Sequence, residues 1–299
     1  MKKALFIINP ECGTQNFWKD VEGIIGCLTL NEIINHADVH YTRKQYDARE
    51  AARKLKPGQY DVIVAVGGDG TVSDVVNGIM LGGCHTPIAI LPVGTSNVFA
   101  TTLGLPLNKE DFCLMLRKFE TRDIDVGRIN TQYFISTVGG GLASDIGYRA
   151  ASDTKAIFGK KAFLFEAMKL FPRERLKTKT LYFDSEEYTS EAETVMYYIS
   201  NVGGLAGNKT LFSEADINDG RLNVAIFQKP SILLFGSLFW KFLRGQPIDH
   251  PKFKSFSTRR IKIRNMSTAP MPVIFDGEMF GTLPIEVECI PKAIKIIVP

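Results

Sequence analysis

The sequence predicts an α/β domain with a parallel sheet, followed by a β-rich domain that forms an antiparallel sandwich. Up to about Asp125, short apolar runs alternate with helical patterns, which is typical of parallel strands covered by helices on both faces. After Gly127 apolar and polar residues alternate, as in Ile261–Arg264, which is the period of half-exposed strands. We therefore expect one domain over residues 1–127 and a second over residues 128–299, whose last strand could return to the first domain.

The elements of the first domain follow from these short runs. The strand candidates are Leu5–Ile8, Val39–Tyr41, Val62–Val66 and Ile88–Leu91. The helix candidates are Val21–Leu28, Asp47–Leu55, Ser73–Met80, Asn97–Leu103 and Lys109–Phe119. Ligands of such sheets bind beyond the carboxyl ends of the strands. We therefore expect a binding site formed by the residues that follow these strands.

The second domain is predicted from its β-rich segments. The strand candidates are Tyr133–Val138, Thr180–Phe183, Thr194–Ser200, Leu222–Phe227, Arg260–Arg264, Val273–Phe275, Ile285–Cys289 and Ala293–Val298. Two helical patterns, Lys160–Phe171 and Ile232–Leu243, interrupt them. The second helix is apolar but contains Lys241, so it could lie in a membrane interface or in the core of the domain.

Composition restricts the classes of protein that the chain can represent. Its 299 residues, 45% of them apolar, suffice for two cores, and a net charge of +4 does not require a nucleic-acid partner. The five cysteines include no Cys-x-x-Cys pair, which argues against a disulfide framework or structural zinc site and favours a reducing compartment. The apolar run Ala4–Ile8 is shorter than the roughly 7–15 residues of a signal peptide, and no segment reaches the ~20 apolar residues of a transmembrane helix. We expect a cytoplasmic protein that meets membranes only peripherally.

A glycine-rich segment after the third strand candidate is the most informative motif. The run Val62–Val66 is followed by Gly67-Gly68-Asp69-Gly70-Thr71, where a helical pattern starts. Glycines let a backbone approach a ligand closely, and the N-terminus of a helix attracts phosphate. The spacing is neither that of a Walker A loop nor Gly-x-Gly-x-x-Gly. We interpret the segment as a phosphate-binding turn, the alternative being an ordinary strand-to-helix turn.

A second glycine turn, Leu91 to Asn97, repeats this arrangement after the fourth strand candidate. Gly94, Thr95 and Ser96 offer N–H groups and hydroxyls to a phosphate, whereas Asn97 could cap the following helix. Ligand contact and simple capping are the two interpretations of this turn. The presence of the first turn favours ligand contact.

Near the C-terminus, Asp276-Gly277-Glu278 places two carboxylates around a glycine. Asp-Gly is a common two-residue hairpin turn, so a structural role is one interpretation. The other is catalytic, because phosphoryl transfer to a hydroxyl group uses a carboxylate that accepts the hydroxyl proton.

Together these segments resemble the diacylglycerol kinase catalytic-domain family, which includes bacterial lipid kinases and the sphingosine and ceramide kinases. The resemblance runs through nearly the whole chain, whereas the first glycine turn alone is shared with NAD kinases and phosphofructokinases. The residues that carry the resemblance are Asn9-Pro10, Thr42, Gly67–Thr71, Asn77-Gly78, Leu91–Thr95, Asn97, Asp125, Lys155, Gly159, Asn201, Ala215, Asp219-Gly220, Leu222 and Asp276–Glu278.

The resemblance implies an NAD kinase/diacylglycerol kinase-like fold and an enzyme that uses ATP and Mg²⁺. The first domain would bind the nucleotide, and the second would bind a lipid. Asp69, through water, and Asp219 would hold Mg²⁺. The implied ATP-binding residues are Asn9, Thr42, Gly67, Gly68, Asp69, Gly70, Thr71, Gly94, Thr95 and Asn97.

The resemblance also implies catalytic and substrate-binding roles for residues of the second domain and for Asp125. Asp276 would be the general base, assisted by Glu278, and Asp125 and Lys155 would contact the substrate or support the residues that do. Diacylglycerol is the lipid most expected, with sphingoid bases and ceramide as alternatives. The departures from the family pattern include Glu11, Cys12, Val98 and Ala143, and none of them replaces the implied metal or base residues.

Two other functions stay open at this point, an NAD kinase-like phosphotransferase and a non-catalytic protein that binds lipid or nucleotide. Basic residues concentrate in Lys155–Lys179, with eight against two acids, and in Lys252–Arg264, with six and no acid. Each stretch is either a solvated surface or a contact with an anionic membrane, where each basic side chain contributes about 1 kcal/mol. The sequence does not fix the oligomeric state, and a homodimer is one option.

Overall fold

The structure is a computed structural model that describes residues 2–12, 17–144, 177–202 and 217–299. The chain divides into two compact units. The first consists of Met1–Ile124 with Lys292–Pro299, and the second consists of Asp125–Pro291.

Some of the predictions fall on residues outside the described ranges. They are the helix Lys160–Phe171, the candidate residues Lys155, Gly159 and Ala215, and all of the first basic stretch except its last three residues.

The first unit contains a parallel sheet. Its strands are β1 (Lys2–Ile8), β2 (Ile34–Tyr41), β3 (Val62–Gly67) and β4 (Ile88–Pro92). They lie in the order β4-β3-β1-β2 and all pair in parallel. Every residue of β3 is buried, as expected for a central strand of an α/β sheet.

Helices connect these strands, as the alternating pattern predicted. In the described part of the unit they are α1 (Phe17–Leu30), α2 (Asp47–Arg53), α3 (Asp69–Gly82), α4 (Val98–Thr102) and α5 (Lys109–Lys118). The helix α3 ends at Gly83, whose φ of 66° is the left-handed conformation that commonly terminates helices. The predicted α/β domain with a parallel sheet is therefore confirmed.

The second unit is built mainly from antiparallel strands. Its strands, two of which extend into the first unit, are β5 (Glu120–Ile129), β6 (Gln132–Phe134), β7 (Thr137–Gly141), β8 (Lys179–Ser185), β9 (Thr189–Ser200), β10 (Leu222–Gln228), β11 (Phe253–Thr258), β12 (Arg260–Asn265), β13 (Pro272–Phe275), β14 (Glu278–Thr282) and β15 (Ile285–Val298). They lie in the order β14-β13-β7-β9-β8-β12-β15, and β10 pairs with β9 and β11. The predicted β-rich antiparallel domain is confirmed.

The last residues of β15 belong to the first unit, where Ile296 pairs in parallel with Ile88 of β4. The segments Ile285–Cys289 and Ala293–Val298 were predicted as separate strands, whereas the structure joins them into one. The alternation of buried and exposed residues continues along most of β15. This one strand pairs with β12 in the second unit and with β4 in the first.

A helix, α6 (Ile232–Leu243), covers part of the second unit's sheet. The ring of Phe227 on β10 meets those of Phe235 and Phe242 edge to face, at centroid distances of 5.7 and 5.1 Å. Trp240 remains 39% exposed. The core interpretation of this helix is therefore correct for its buried aromatic face. No helix in the described ranges is long and apolar enough to cross a membrane.

One predicted strand, Tyr133–Val138, is divided in the structure. The strands β6 and β7 are separated by Ile135 and Ser136. The N–H groups of these two residues donate to the side chain of Asp276 instead of to a neighbouring strand. A side-chain acceptor has replaced the sheet hydrogen bonds at this point.

Candidate active site

The first glycine turn lies where β3 meets α3. Gly68 precedes the helix in an extended conformation, with φ −92° and ψ −173°. The first N–H groups of a helix have no acceptor within it, and here they belong to Asp69, Gly70 and Thr71. A Cβ atom at Gly67 would lie 2.3 Å from Oγ1 of Thr71. The turn thus combines a compact backbone with the positive end of a helix dipole, which suits a phosphate group.

The second glycine turn packs directly against the first. The N–H of Val93 donates to the carbonyl oxygen of Gly67 at 3.0 Å. A Cβ atom at Gly94 would lie only 2.5 Å from Cα of Gly68, so the contact between the two backbones requires glycine at position 94. The structure therefore brings the two predicted turns together.

Asp69 connects the first turn to the helix that follows the second. Its Oδ2 accepts a hydrogen bond from the N–H of Val98, and its Oδ1 accepts one from the N–H of Phe99, both at 3.0 Å. These N–H groups open α4, so Asp69 caps a helix that is distant in sequence. A carboxylate oxygen has a second acceptor direction, through which a water molecule on Mg²⁺ could bind.

Asn9 and Thr42 follow the neighbouring strands β1 and β2. The side chain of Asn9 donates from Nδ2 to Oγ1 of Thr71 at 3.2 Å and accepts the N–H of Glu11 at 3.0 Å. The N–H of Thr42 donates to the carbonyl oxygen of Ile8 at 2.9 Å. These residues therefore lie at the same edge of the sheet as the glycine turns.

Asn97 occupies the N-cap position of α4, but its side chain does not cap the helix. Its backbone is left-handed, with φ 47° and ψ 46°, and its side chain makes no capping hydrogen bond. Nδ2 instead donates to the carbonyl oxygen of Gly94 at 2.7 Å. Its Oδ1 is buried without a partner among the described residues. A buried acceptor without a donor is costly, and a ligand or water that donates to it would remove that cost.

Asn77 and Gly78 serve the packing of helices. Asn77 is fully buried and donates to the carbonyl oxygen of Ser73 at 3.0 Å. A Cβ atom at Gly78 would lie 2.3 Å from the carbonyl oxygen of Arg49 on α2. The family's Asn-Gly pair at Asn77-Gly78 is therefore explained by the close packing of α2 against α3.

In the second unit, Asp276 and Gly277 form the turn between β13 and β14. Their φ values of 45° and 85° are both positive, and Phe275 pairs with Glu278 across the turn. This is the two-residue hairpin geometry that favours Asp-Gly. The hairpin interpretation is confirmed, and the catalytic interpretation depends on the side chain.

The carboxylate of Asp276 lies among backbone donors. Its Oδ1 accepts the N–H groups of Ser136 and Thr137 at 2.8 and 2.9 Å, and its Oδ2 accepts that of Ile135 at 2.9 Å. Such bonds stabilise an ionised carboxylate and hold its orientation.

Tyr198 of β9 is a residue near Asp276 that the sequence did not single out. Burial is the largest cause that raises the pKa of Tyr198, and the charge of Asp276 raises it further, against hydrogen bonds with Ser200 and Thr137. Its phenol therefore stays neutral at physiological pH. No local signal identified it, because an aromatic residue in a strand pattern predicts only a core position.

Asp125 is buried and holds a turn of the second unit. Its Oδ2 accepts the N–H of Gly220 at 2.7 Å, and its own N–H donates to the carbonyl oxygen of Ile217 at 3.0 Å. Nδ2 of Asn201 donates to its carbonyl oxygen at 2.8 Å. Asp125, Asn201 and Gly220 are far apart in sequence and all belong to the family pattern, and the structure brings them into contact. Asp219 is exposed and accepts the N–H of Arg221 at 2.8 Å.

The described residues contain no group of three or more His, Cys, Asp or Glu side chains that could hold a metal ion. Magnesium in nucleotide sites is commonly bound by one or two carboxylates, the phosphates and several waters. The acceptor directions of Asp69 therefore fit a magnesium ion that arrives with a nucleotide. The paired glycine turns and the buried Oδ1 of Asn97 fit the nucleotide itself.

Comparison with known proteins identifies the family of the chain. Residues 3–129 match the family model described as diacylglycerol kinase catalytic domain. Residues 136–298, more than half of the chain, match the one described as YegS C-terminal NAD kinase beta sandwich-like domain. The chain belongs to the diacylglycerol kinase catalytic-domain family. It is therefore a kinase-type phosphotransferase, which confirms the resemblance drawn from the motifs.

Similar proteins cover the full length of this family member. The diacylglycerol kinase of Bacillus subtilis (strain 168) is 29% identical over 305 residues, which cover 100% of this chain and 97% of the relative. The diacylglycerol kinase of Staphylococcus haemolyticus (strain JCSC1435) is 27% identical and covers 100% and 88%. A crystal structure of a diacylglycerol kinase from Bacillus anthracis str. Sterne has a TM-score of 0.76 at 21% identity, covering 99% of this chain and 97% of that one. This structural likeness supports the fold.

Proposed function

We propose that the protein is an ATP- and Mg²⁺-dependent lipid kinase that transfers the γ-phosphoryl group of ATP to a lipid hydroxyl, with diacylglycerol as the acceptor and phosphatidic acid as the product. Its role would be in phospholipid metabolism. The observation that carries the proposal is the contact between the two glycine turns at the N-terminus of α3. The N–H groups of this arrangement can face phosphates. The two turns pack this closely because positions 67 and 94 are glycine and carry no Cβ atom.

The nucleotide would be bound by residues of the first unit. Phosphoryl transfer depends mainly on positioning and charge stabilisation, and the N–H groups of the first turn of α3 supply both. The bond from Asn9 to Thr71 fixes that turn, and Asp69 fixes the second turn through α4. When bound, Mg²⁺ would neutralise charge on the transferred phosphoryl group, and Asp69 would hold it through water.

The acceptor hydroxyl would be deprotonated by a residue of the second unit. We assign this role to Asp276, with Glu278 and the neutral phenol of Tyr198 as neighbours that help to orient the hydroxyl. Three N–H groups donate to the carboxylate of Asp276 and would hold it in a fixed orientation towards the hydroxyl. Proton transfer would occur only as the hydroxyl becomes acidic during bond formation to phosphorus.

Gly70 allows a test of phosphate approach that leaves the fold unchanged. A Cβ atom at Gly70 would meet no atom within 4 Å, and alanine favours a helix over glycine by about 1 kcal/mol. We expect Gly70→Ala to keep or raise the melting temperature, while it weakens ATP binding about tenfold, roughly 1.4 kcal/mol, because a methyl group would stand where phosphates approach. ATP affinity measured by calorimetry tests this.

Gly23 of α1 provides a matched control, since a Cβ atom there would also meet no atom within 4 Å. Gly23→Ala should stabilise its helix in the same way and leave ATP affinity unchanged. If Gly70→Ala and Gly23→Ala bind ATP equally well, phosphates do not approach Gly70 and the nucleotide site is elsewhere.

A turnover assay separates the proposed function from its rivals. Purified protein would be supplied with ATP and Mg²⁺ and offered diacylglycerol, a sphingoid base, ceramide or NAD as acceptor. We expect phosphorylated diacylglycerol as the main product. Phosphorylated NAD would support an NAD kinase-like activity, and ATP binding without any phosphorylated product would support a non-catalytic binding protein.

We also propose that the enzyme meets its substrate at the surface of an anionic membrane. The exposed face of α6 carries Trp240 and Lys241, and the guanidinium of Arg244 lies 4.6 Å from the centre of the Trp240 ring. Tryptophan together with basic residues is typical of membrane interfaces. In the second basic stretch, by contrast, Arg260 and Lys262 pair with Glu286 of the neighbouring strand, so they contribute less positive charge than the sequence indicated.

Vesicle binding tests this surface. We expect binding to vesicles that contain phosphatidylglycerol to weaken steeply with added salt, because exposed charges are screened within about 8 Å at physiological ionic strength. Lys241→Gln combined with Arg244→Gln should weaken binding further. Lys262→Gln is the matched control and should change binding little, since its charge is already paired. Binding that does not respond to salt, or no binding at all, would favour the solvated-surface interpretation.

A further inference from the structure

Two cysteines, Cys27 and Cys113, lie on the neighbouring helices α1 and α5 of the first unit. These helices pack against each other, and the thiol of Cys27 is close enough to that of Cys113 to raise the pKa of Cys113. Cys113 is buried, whereas Cys27 is half-buried and can be reached from solvent. The two residues are far apart in sequence, so neither belongs to a local cysteine motif.

A second contact one helical turn further along supports this pairing. Asn31 follows Cys27 by four residues, and Arg117 follows Cys113 by four residues. Nη2 of Arg117 donates to Oδ1 of Asn31 at 3.1 Å, and Nδ2 of Asn31 lies 3.6 Å from Sγ of Cys27. Residues four apart lie on the same helix face. The Arg117–Asn31 contact therefore indicates that the helix faces which carry Cys27 and Cys113 are turned towards each other.

We propose that Cys27 and Cys113 form a redox modification site, which a low-molecular-weight disulfide oxidises to an intramolecular Cys27–Cys113 disulfide. None of the nucleotide, base or metal residues takes part in this site. The inference therefore stands independently of the proposed function.

The oxidation proceeds by two exchange steps. The thiolate of Cys27 attacks one sulfur of the oxidant, whose sulfur–sulfur bond breaks and releases one thiolate. The thiolate of Cys113 then attacks Sγ of Cys27 in the mixed disulfide and releases the second thiolate. The two protein thiols supply two electrons to the oxidant, and their two protons go to the released thiolates.

Accessibility sets the order of these steps. Burial, together with the nearby thiol of Cys27, raises the pKa of the Cys113 thiol to about 12. Cys113 is thus a poor first nucleophile but lies beside the sulfur of any mixed disulfide formed at Cys27. Cys84 is different, because it is buried and its Sγ lies 3.2 Å from Oγ1 of Thr86.

The disulfide would join α1 to α5 covalently. Closing a long loop lowers the entropy of the unfolded chain, so the oxidised protein should melt at a higher temperature, with a rise of roughly 5 °C. The helix α1 is the first described element after β1 and Asn9, so the bond would also restrict the element that follows the proposed nucleotide-binding strand.

Peptide mapping of the intact protein tests the site. Reduced protein would be incubated with oxidised glutathione, alkylated and digested without reduction. We expect one cross-linked peptide pair containing Cys27 and Cys113, loss of two of the five free thiols, and a higher melting temperature that a reductant reverses. Cys27→Ser should abolish the cross-link, and Cys84→Ser, the control, should retain it.

Two results would overturn the proposal. One is a stable glutathione adduct at Cys27 with Cys113 still reduced. The other is retention of all five thiols, or a different disulfide, in folded protein. Cys113→Ala gives a second check, because it removes the resolving thiol while keeping a small side chain; it should accumulate the adduct at Cys27.

Discussion

Replacing Asp276 by asparagine is expected to lower kcat at least about 10²-fold, the usual scale of general-base catalysis. The amide can orient an acceptor hydroxyl but cannot take its proton. ATP affinity should stay close to that of the wild type, because the proposed nucleotide contacts belong to the first unit. Steady-state kinetics with ATP and diacylglycerol in mixed micelles, combined with calorimetric ATP binding, checks both expectations.

The same substitution also changes the hairpin. An asparagine amide group would face the N–H of Ile135 or those of Ser136 and Thr137, which now donate to the carboxylate. Losing one such bond costs about 1–3 kcal/mol, so Asp276→Asn should also melt at a lower temperature. Kinetics must be measured well below that temperature.

Ile263→Val is a control for this loss of stability. Ile263 is fully buried in the second unit, and Ile→Val costs about 0.5–1.5 kcal/mol without altering a polar group. It should destabilise the unit and retain kcat. If Asp276→Asn keeps most of its kcat, the base assignment is wrong, and Glu278 or Asp125 becomes the candidate. If it also loses ATP binding, Asp276 is a structural residue.

Asp69→Ala is expected to lower kcat/KM for ATP by about 10²-fold or more, on the scale of a lost electrostatic contact in catalysis. It removes the proposed water-mediated support of Mg²⁺. It also removes the hydrogen bonds to the N–H groups of Val98 and Phe99, which should cost about 0.5–2 kcal/mol of stability, the range for a helix cap. Thermal melting and ATP kinetics measure the two effects separately.

A magnesium titration separates the metal role of Asp69 from its capping role. Asp69→Asn keeps one acceptor oxygen for the α4 cap but loses the charge. If Asp69 supports the metal, this variant should need a higher Mg²⁺ concentration for half-maximal activity than the wild type. An unchanged magnesium dependence, with activity lowered equally at all concentrations, would contradict the metal role and leave Asp69 as a cap.

The sequence predicted the first unit closely because its signals are local. The apolar run Val62–Val66 predicted β3, which is Val62–Gly67 in the structure, and the glycines after it predicted the turn. A parallel strand buried on both faces is read from a few consecutive residues. The predicted α6, Ile232–Leu243, has the same bounds in the structure, because its apolar residues recur with helical spacing.

Other strands escaped prediction because their residues lack alternation. The strand β11 carries Lys254 and Ser255 exposed in succession, and its strand conformation comes from pairing with β10. The strand β14 pairs with β13 but contains Gly281, which weakens a strand pattern. The strand β11 forms because it pairs with β10, which lies outside any short window of sequence, whereas β14 forms by pairing with β13 across the turn at Asp276 and Gly277.

The hydrogen-bond partners of Asp69 and Asp276 could not be predicted from the sequence either. Asp69 bonds residues 29 and 30 positions away, and Asp276 bonds residues 139–141 positions away. The motifs identified both residues as important. Only the fold shows that each carboxylate also holds backbone N–H groups, so that a loss of activity on substitution has to be separated from a loss of structure.

The most direct measurement of the central claim is the formation of phosphatidic acid by the purified protein from ATP and diacylglycerol in mixed micelles, with and without Mg²⁺. We predict that the wild type forms phosphatidic acid only when ATP and Mg²⁺ are both present, and that folded Asp276→Asn forms at least about 10²-fold less per unit time. No phosphatidic acid from the wild type, or equal amounts from Asp276→Asn, would contradict the proposed mechanism.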